Sequence, residues 1–283
     1  MAEFGIDLAA YCARIGYDGP REPTLDVLRA LHLRHALAIP FENLDPFLGR
    51  PVRLDPPALY NKLIGGDRGG YCFEQNRLFA DALEALGFRV TGLAARVLWN
   101  RPEDTVTPRG HMVLAVVLDG ETGGETWIAD VGFGGMTLTA PLRLLRDGAQ
   151  ETPHEPFRIV QGPDGDYRVQ AQLRDTWPTL YRFDLQPQHP VDYEVSNYFL
   201  STHPQSHFIT GLVAARPIEG GRLGLMNNQL ATHRLGRPSE RRTLASAEEL
   251  RAVLADLFDV RVPDPARFDA LVEDRGILDA AAA

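Results

Sequence analysis

Lysine is almost absent from this chain of 283 residues: among 29 basic residues Lys62 stands alone. Arginine, alanine, glycine and proline are all abundant, the pattern of a GC-rich genome, and no mechanism follows from it. Cysteine is as scarce. Cys12 and Cys72 are the only two, too few for a disulfide framework or a four-thiolate zinc site, so a metal would need histidines and carboxylates. The eight histidines contain no HExxH pattern, and only His32/His35 and His203/His207 are closely spaced. Neither pair has carboxylates or thiolates arranged to complete a site, so no metal is expected. His32 and His35, three residues apart beside Leu28 and Leu31, read as helix packing or a solvated flank. Long apolar stretches are missing too. The longest run covers residues 112–118, where a spanning helix needs about 20, so no membrane association is expected. Positive charge is also in deficit: a net charge of -9 and pI near 5.4 argue against a protein that coats nucleic acid or anionic lipid. Glu3 and Asp7 precede any basic residue, which is no secretory signal pattern, and the expected location is the cytoplasm.

What remains is globular. At 44% hydrophobic and 24% charged the chain can bury a sizeable core, and its length suits about two domains, with one to three reasonable. Residues 1–90 read as helical. Pro23 and Thr24 open an apolar series (Leu25, Leu28, Leu31) that must stop before Pro40. A shorter helix is expected over 57–63. Another begins near Cys72, with Phe79, Leu83 and Leu86 on one face and Gly87 placed to end it in a left-handed cap. From residue 88 the pattern changes to short β-type runs (89–99, 111–118, 126–131, 157–160, 167–173, 179–184) separated by Gly, Pro and Asp, the mark of an antiparallel sheet or small barrel. The region 191–283 ends in a helix opened by Ser246 with Glu249 in a capping box, and residues 279–283 read as a frayed tail.

Cys12 reads as a small buried hydrophobe. Cys72 differs because it sits at an expected helix N-terminus, where unpaired N–H groups and the helix dipole stabilise a thiolate, with Arg68 four residues earlier. Gly69 and Gly70 beside it permit close backbone approach. A reactive thiolate needs a base, and the base an orienting carboxylate. One hairpin offers both. If 111–118 pairs with 126–131 across the turn 119–125, Leu118 faces Thr126, and His111 and Asp130 come near-opposite at the open end. Alone, each residue reads as a strand start or a turn; the joint arrangement of thiol, imidazole and carboxylate points to chemistry.

The stretch Arg68-Gly-Gly-Tyr-Cys72-Phe-Glu-Gln-Asn76 resembles the cysteine motif of the arylamine N-acetyltransferases. Other signatures of that family occur in the right order: Ile39-Pro-Phe-Glu-Asn-Leu44, His111 opening a strand, Asp130-Val-Gly-Phe-Gly-Gly135, and Ser201-Thr-His-Pro-Gln-Ser-His-Phe208. The resemblance implies an α+β fold: an N-terminal helical bundle (1–90), a central antiparallel β-barrel (91–190), and a linker with a C-terminal α/β lid (191–283), the first two forming a cysteine-protease-like core. It implies acetyl transfer from acetyl-CoA to an arylamine, arylhydrazine or arylhydroxylamine, by a ping-pong route through an acetyl-cysteine. By the same resemblance Cys72 is the nucleophile, His111 its base and later acid, and Asp130 the orienting carboxylate. Tyr71, Phe133 and Phe208 would surround acceptor and pantetheine, with Gly134 and Gly135 beside the coenzyme. Glu42 and Arg68 would form a buried ion pair behind the nucleophile, a structural support. The basic run Arg234, Arg237, Arg241, Arg242 reads as solvated surface and is not assigned to the coenzyme phosphates.

Three other readings stand beside this one. A papain-like cysteine hydrolase would need a site that admits peptide and water. A family-like, arylamine-dependent amide synthase of polyketide biosynthesis would close a polyketide chain onto its own aromatic amine. A non-catalytic binding module would leave Cys72 no more reactive than Cys12. The natural amine, the preferred acyl length and the oligomeric state are open at this level.

Overall fold

The structure, a computed structural model, describes residues 5–119 and 124–279. Most of the turn expected over 119–125 and of the tail over 279–283 lies outside the described residues.

The N-terminal third is helical, and side-chain caps set its boundaries. α1 (Leu8–Arg14) starts where the Asp7 carboxylate accepts the N–H groups of Ala9 and Ala10, and α2 (Leu25–Ala38) starts where the Thr24 hydroxyl accepts that of Val27. Past Pro40 the chain forms a two-residue strand, β1 (Phe41–Glu42), and a single turn, α3 (Leu44–Phe47). The helix expected over 57–63 is two pieces: α4 (Pro56–Leu59), capped by Asp55, continues as a wider π turn over Tyr60–Ile64. α5 (Cys72–Ala85) is the central helix, and Gly87 at φ 86° follows its end as expected.

Strands β2 (Arg89–Val97), β3 (His111–Leu118), β4 (Glu125–Ala129), β5 (Leu142–Arg143), β6 (Phe157–Gln161), β7 (Tyr167–Ala171) and β8 (Thr179–Phe183) form one antiparallel sheet in the order β5-β4-β3-β2-β8-β7-β6. It curls into a nearly closed barrel. β3 is buried on both faces: Met112, Leu114 and Val116 pack with α5 and its neighbours, whereas Val113 and Ala115 point into the barrel core with Ile128 and Tyr181. The hairpin register differs by one residue from the expected one, since Leu118 pairs with Glu125 and Leu114 with Ala129. Continued by one step, that ladder sets Asp130 opposite Val113 and makes His111 its diagonal neighbour on the same face. The expected register would have put the two side chains on opposite faces.

The remainder comprises α6 (Pro190–Thr202), α7 (His207–Thr210), strands β9 (Val213–Ile218), β10 (Gly221–Met226), β11 (Gln229–Arg234) and β12 (Glu240–Thr243), and helices α8 (Ala247–Phe258) and α9 (Pro265–Asp274). At α8 the Ser246 hydroxyl accepts the N–H of Glu249, but the Glu249 carboxylate returns to the N–H of Ala245, one residue before the position a capping box uses. The second sheet runs β1-β9-β10-β11-β12, with Phe41 opposite Ala215. Thus the chain just after α2 is sewn into the C-terminal layer, where Leu44, Phe47 and Leu48 share a core with Leu250, Leu254 and Phe268. This long-range crossing brings Phe208 to the front of α5: the Asn43 amide donates to the carbonyls of Phe208 (2.9 Å) and Gly211 (2.7 Å).

Candidate active site

Cys72 is the first residue of α5, 4% exposed, with its sulfur 3.7 Å from the carbonyl oxygen of Gly110. The residue after Gly110 opens β3, so the strand start delivers His111 beside the helix start. His111 is 3% exposed, and its Nε2 lies 2.7 Å from Asp130 Oδ2. A carboxylate only accepts, so Nε2 carries the proton and Nδ1 is the ring nitrogen left for the sulfur. Asp130 is fully buried. Its other oxygen, Oδ1, accepts the Asn76 side-chain amide and the Gly132 N–H, both at 2.9 Å.

The electrostatics derive from that geometry. Burial disfavours the His111 imidazolium, but the Asp130 charge, its hydrogen bond, and the hydrogen bond and charge of Cys72 outweigh it and raise the ring to about 10. Burial likewise pushes Asp130 up, and the His111 charge with the three hydrogen bonds overcomes it and holds the carboxyl below its usual range. An imidazolium between carboxylate and sulfur is therefore the resting form near neutral pH.

Asn76 lies one helical turn after Cys72 on α5 and faces the same way. Its amide also donates to the carbonyl of Met112 (2.7 Å), and its oxygen accepts the N–H of Val131 (3.0 Å). It thus ties the helix of Cys72 to β3, which carries His111, and to the segment just after β4, which carries Asp130. From behind, the Asp130 N–H donates to His32 Nε2 at 3.2 Å. Burial first, then the neighbouring His35, pull His32 down to about 3 against the attraction of Asp130, so it stays neutral and can accept. His35 is held at about 4, chiefly by burial, between the Tyr11 hydroxyl and Gln75 Oε1. The two histidines are core residues, the packing rather than the solvated-flank alternative, but His32 also buttresses Asp130. Among the described residues no group of three or more His, Cys, Asp or Glu side chains converges as a metal site would require.

A cavity of about 770 Å³ opens over Cys72 and His111. Phe133, Gly134, Gly135 and Phe208 line it, and it runs on to His233 and Arg241 of the C-terminal sheet. Phe133 meets the His111 ring edge-on at 5.3 Å, and Phe208 lies 6.0 Å from Phe41. Gly132 must be glycine, because a Cβ there would fall 2.8 Å from Cys72 Cα. Tyr71 departs from expectation. It is fully buried and not among the cavity-lining residues: as the extended N-cap of α5 it turns its ring away, edge-on to Phe73 and Phe208, with its hydroxyl bonded to Asn197 of α6. It backs the wall rather than forming it. The ion pair of Glu42 and Arg68 is present at 2.6 Å, with Glu42 fully buried. Arg68 also approaches Asp45 (3.5 Å), so its charge is taken up by carboxylates rather than offered to Cys72. Of the basic run, all four arginines are exposed, and Arg241 reaches the far end of the cavity.

Comparisons with known proteins agree with this architecture. A family model described as N-acetyltransferase matches residues 24–267. An arylamine N-acetyltransferase of Mycobacterium tuberculosis is 46% identical over 92% of this chain and 91% of its own length. A Salmonella typhimurium arylamine N-acetyltransferase / N-hydroxyarylamine O-acetyltransferase is 41% identical over 91% and 90%. The structure of Mycobacterium marinum arylamine N-acetyltransferase in complex with CoA superposes with a TM-score of 0.90 at 44% identity, covering 95% of this chain and 99% of that one. Fold, site architecture and likeness along nearly the whole length agree: this chain belongs to the arylamine N-acetyltransferase family.

Proposed function

We propose that the protein transfers an acetyl group from acetyl-CoA to an arylamine, arylhydrazine or arylhydroxylamine in the cytoplasm, by a ping-pong mechanism through an acetyl-Cys72 intermediate. The observation that carries this reading is the His111–Asp130 hydrogen bond set beside Cys72 at the floor of an aromatic cavity. Cys72 attacks the thioester carbonyl as a thiolate, and coenzyme A leaves with the proton held on His111 Nδ1. Thiolate replaces thiolate, so the bond type barely changes and little driving force is needed. The amine then attacks acetyl-Cys72 while His111, now neutral, accepts its proton, and the Cys72 thiolate departs to re-form the ion pair. Asp130 holds the tautomer throughout.

The fit to the donor rests on the cavity. It is long enough to extend from Cys72 to the C-terminal sheet, its inner walls are apolar, and Arg241 with His233 supplies polar groups at the far end. Phe133 and Phe208 suit a flat aromatic acceptor and keep water from the intermediate, which disfavours a hydrolase. In the same reading residues 1–90 present the nucleophile, 91–190 the base and carboxylate, and 191–283 close the donor side. The test is an initial-rate study varying acetyl-CoA against an arylamine such as 4-aminobenzoate or an arylhydrazine. Parallel double-reciprocal lines are expected; intersecting lines, or release of free acetate faster than acetylated amine, would overturn the reading.

A further inference from the structure

The single lysine has a place that composition does not explain. Lys62, in the π turn after α4, extends its ammonium between two carboxylates, 2.6 Å from Asp45 Oδ2 of α3 and 2.7 Å from Glu74 Oε1 of α5. Its side chain is 15% exposed and that of Glu74 only 2%. Glu74 is the third residue of α5, and its other oxygen accepts the N–H of Tyr71 at 3.0 Å, closing the helical turn that begins with Cys72. Here a requirement of the fold conflicts with one of the site. The first turn of α5 needs an acceptor for its free N–H groups, and a buried carboxylate supplies it, yet a negative charge in that turn opposes a thiolate on the same turn. Glu42 from β1, Asp45 from α3 and Arg68 from the loop before α5 complete the surroundings, and His111 faces Cys72 from the other side. Arg68 is in contact with Glu42 and Asp45, which leaves Lys62 as the cation in contact with Glu74. Burial pushes the Glu74 carboxyl up and the Lys62 ammonium draws it back. An arginine would not substitute simply, because a compact ammonium fits between two carboxylates where a planar fork would force them apart.

We propose that Lys62 is a positioning residue for the nucleophile: by clamping Glu74 and Asp45 it keeps the first turn of α5 capped while cancelling the carboxylate charge that would otherwise oppose the Cys72 thiolate. This rests on Cys72 being the nucleophile, but not on the identity of the donor or acceptor.

The experiment is the rate of iodoacetamide alkylation of Cys72 from about pH 5 to 9, read by peptide mass without acetyl-CoA, alongside thermal melting. Lys62→Met should move the midpoint of the alkylation profile up by about one pH unit and slow alkylation about tenfold below it, as expected for one uncompensated charge nearby at an effective dielectric near 20. Adding Glu74→Gln, whose amide oxygen can still cap Tyr71, should return the midpoint to within a few tenths of a unit of the wild type. Glu74→Gln alone keeps Lys62 and should move the midpoint down, which preserves the test if Lys62→Met does not fold. A lowered melting temperature with no movement of the midpoint in either single variant would overturn the proposal and leave Lys62 a scaffold residue. Failure of the double variant to restore the midpoint would overturn it as well. Alkylation profiles that follow this pattern in a protein that takes no acetyl group would instead count against the proposed function.

Discussion

Asp130→Asn changes one atom at the centre of the site, and the hydrogen bonds around the carboxylate decide its effect. Oδ1 accepts two donors, the Asn76 amide and the Gly132 N–H, whereas Oδ2 accepts one, from His111. An asparagine keeps its carbonyl oxygen toward the two donors and turns its NH₂ to the histidine. That NH₂ needs an acceptor, so His111 Nε2 gives up its proton and the ring carries it on Nδ1, facing Cys72. The ring can then no longer take the thiol proton. The charge that lifts His111 to about 10 is also gone, and burial then acts with little opposition. A histidine even at its ordinary value of about 6.5 would be only about one-tenth protonated near pH 7.5. The wrong tautomer alone costs about 10⁴ in turnover in serine proteases, and a loss of about 10³ to 10⁴ in single-turnover acetylation of Cys72 is expected here. Stability carries a second signature. The stabilisation of His111 by its partners is complete below about pH 6.5, wanes as the pH rises and is lost through about 10. The wild-type melting temperature should therefore fall between pH 7 and 10.5 relative to the variant. Rapid-quench acetylation and melting curves over that range are the assays. A variant within about tenfold of wild type, with a normal melting profile, would refute the reasoning and reduce Asp130 to a turn residue.

The supporting residues make two further outcomes testable. Arg68→Met leaves the fully buried Glu42 without its main partner and should lower stability by about 3 to 5 kcal/mol in denaturant unfolding; a change under about 1 kcal/mol would count against a buried pair. Asn76→Ala strips hydrogen bonds from Asp130, Val131 and Met112 and should slow acetylation by about 100-fold while lowering stability by about 1 to 3 kcal/mol; an unchanged rate would show that α5 and the strands hold their alignment without it.

The helical third, the strand-rich middle and the start of α5 at Cys72 are all legible in the sequence, because they depend on local signals: apolar spacing, caps and the glycine run. The hairpin register is not. The core of β3, Met112-Val-Leu-Ala-Val-Val117, is apolar on both faces, since one face meets α5 and the other the barrel core. Without alternation nothing local distinguishes one register from the next. Likewise β1 forms by pairing with β9, far along the chain, and by a bridge from Phe41 to Gly70. The supporting polar residues are hidden for the same reason, as His32 reaches Asp130 across 98 positions. Two signals were nevertheless present. Asn76 stands four residues after Cys72, one helical turn away on the same face, and Lys62 is the only lysine in a chain that otherwise uses arginine. Tyr71 shows the converse. Sharing a motif with the nucleophile does not mean sharing a face, and an extended N-cap residue turns its side chain away from that of the first helical residue.

The central claim is that Cys72 carries the acyl group, and intact mass after incubation with acetyl-CoA in the absence of any acceptor tests it most directly. One acetyl group per chain is expected, mapping to the peptide of Cys72, lost on addition of an arylamine, absent from Cys72→Ser and retained in Cys12→Ser. The same measurement with propionyl- and malonyl-CoA reads the acyl preference. Turnover of an arylamine by Cys72→Ser, or by a wild-type protein that never shows the adduct, would contradict the account.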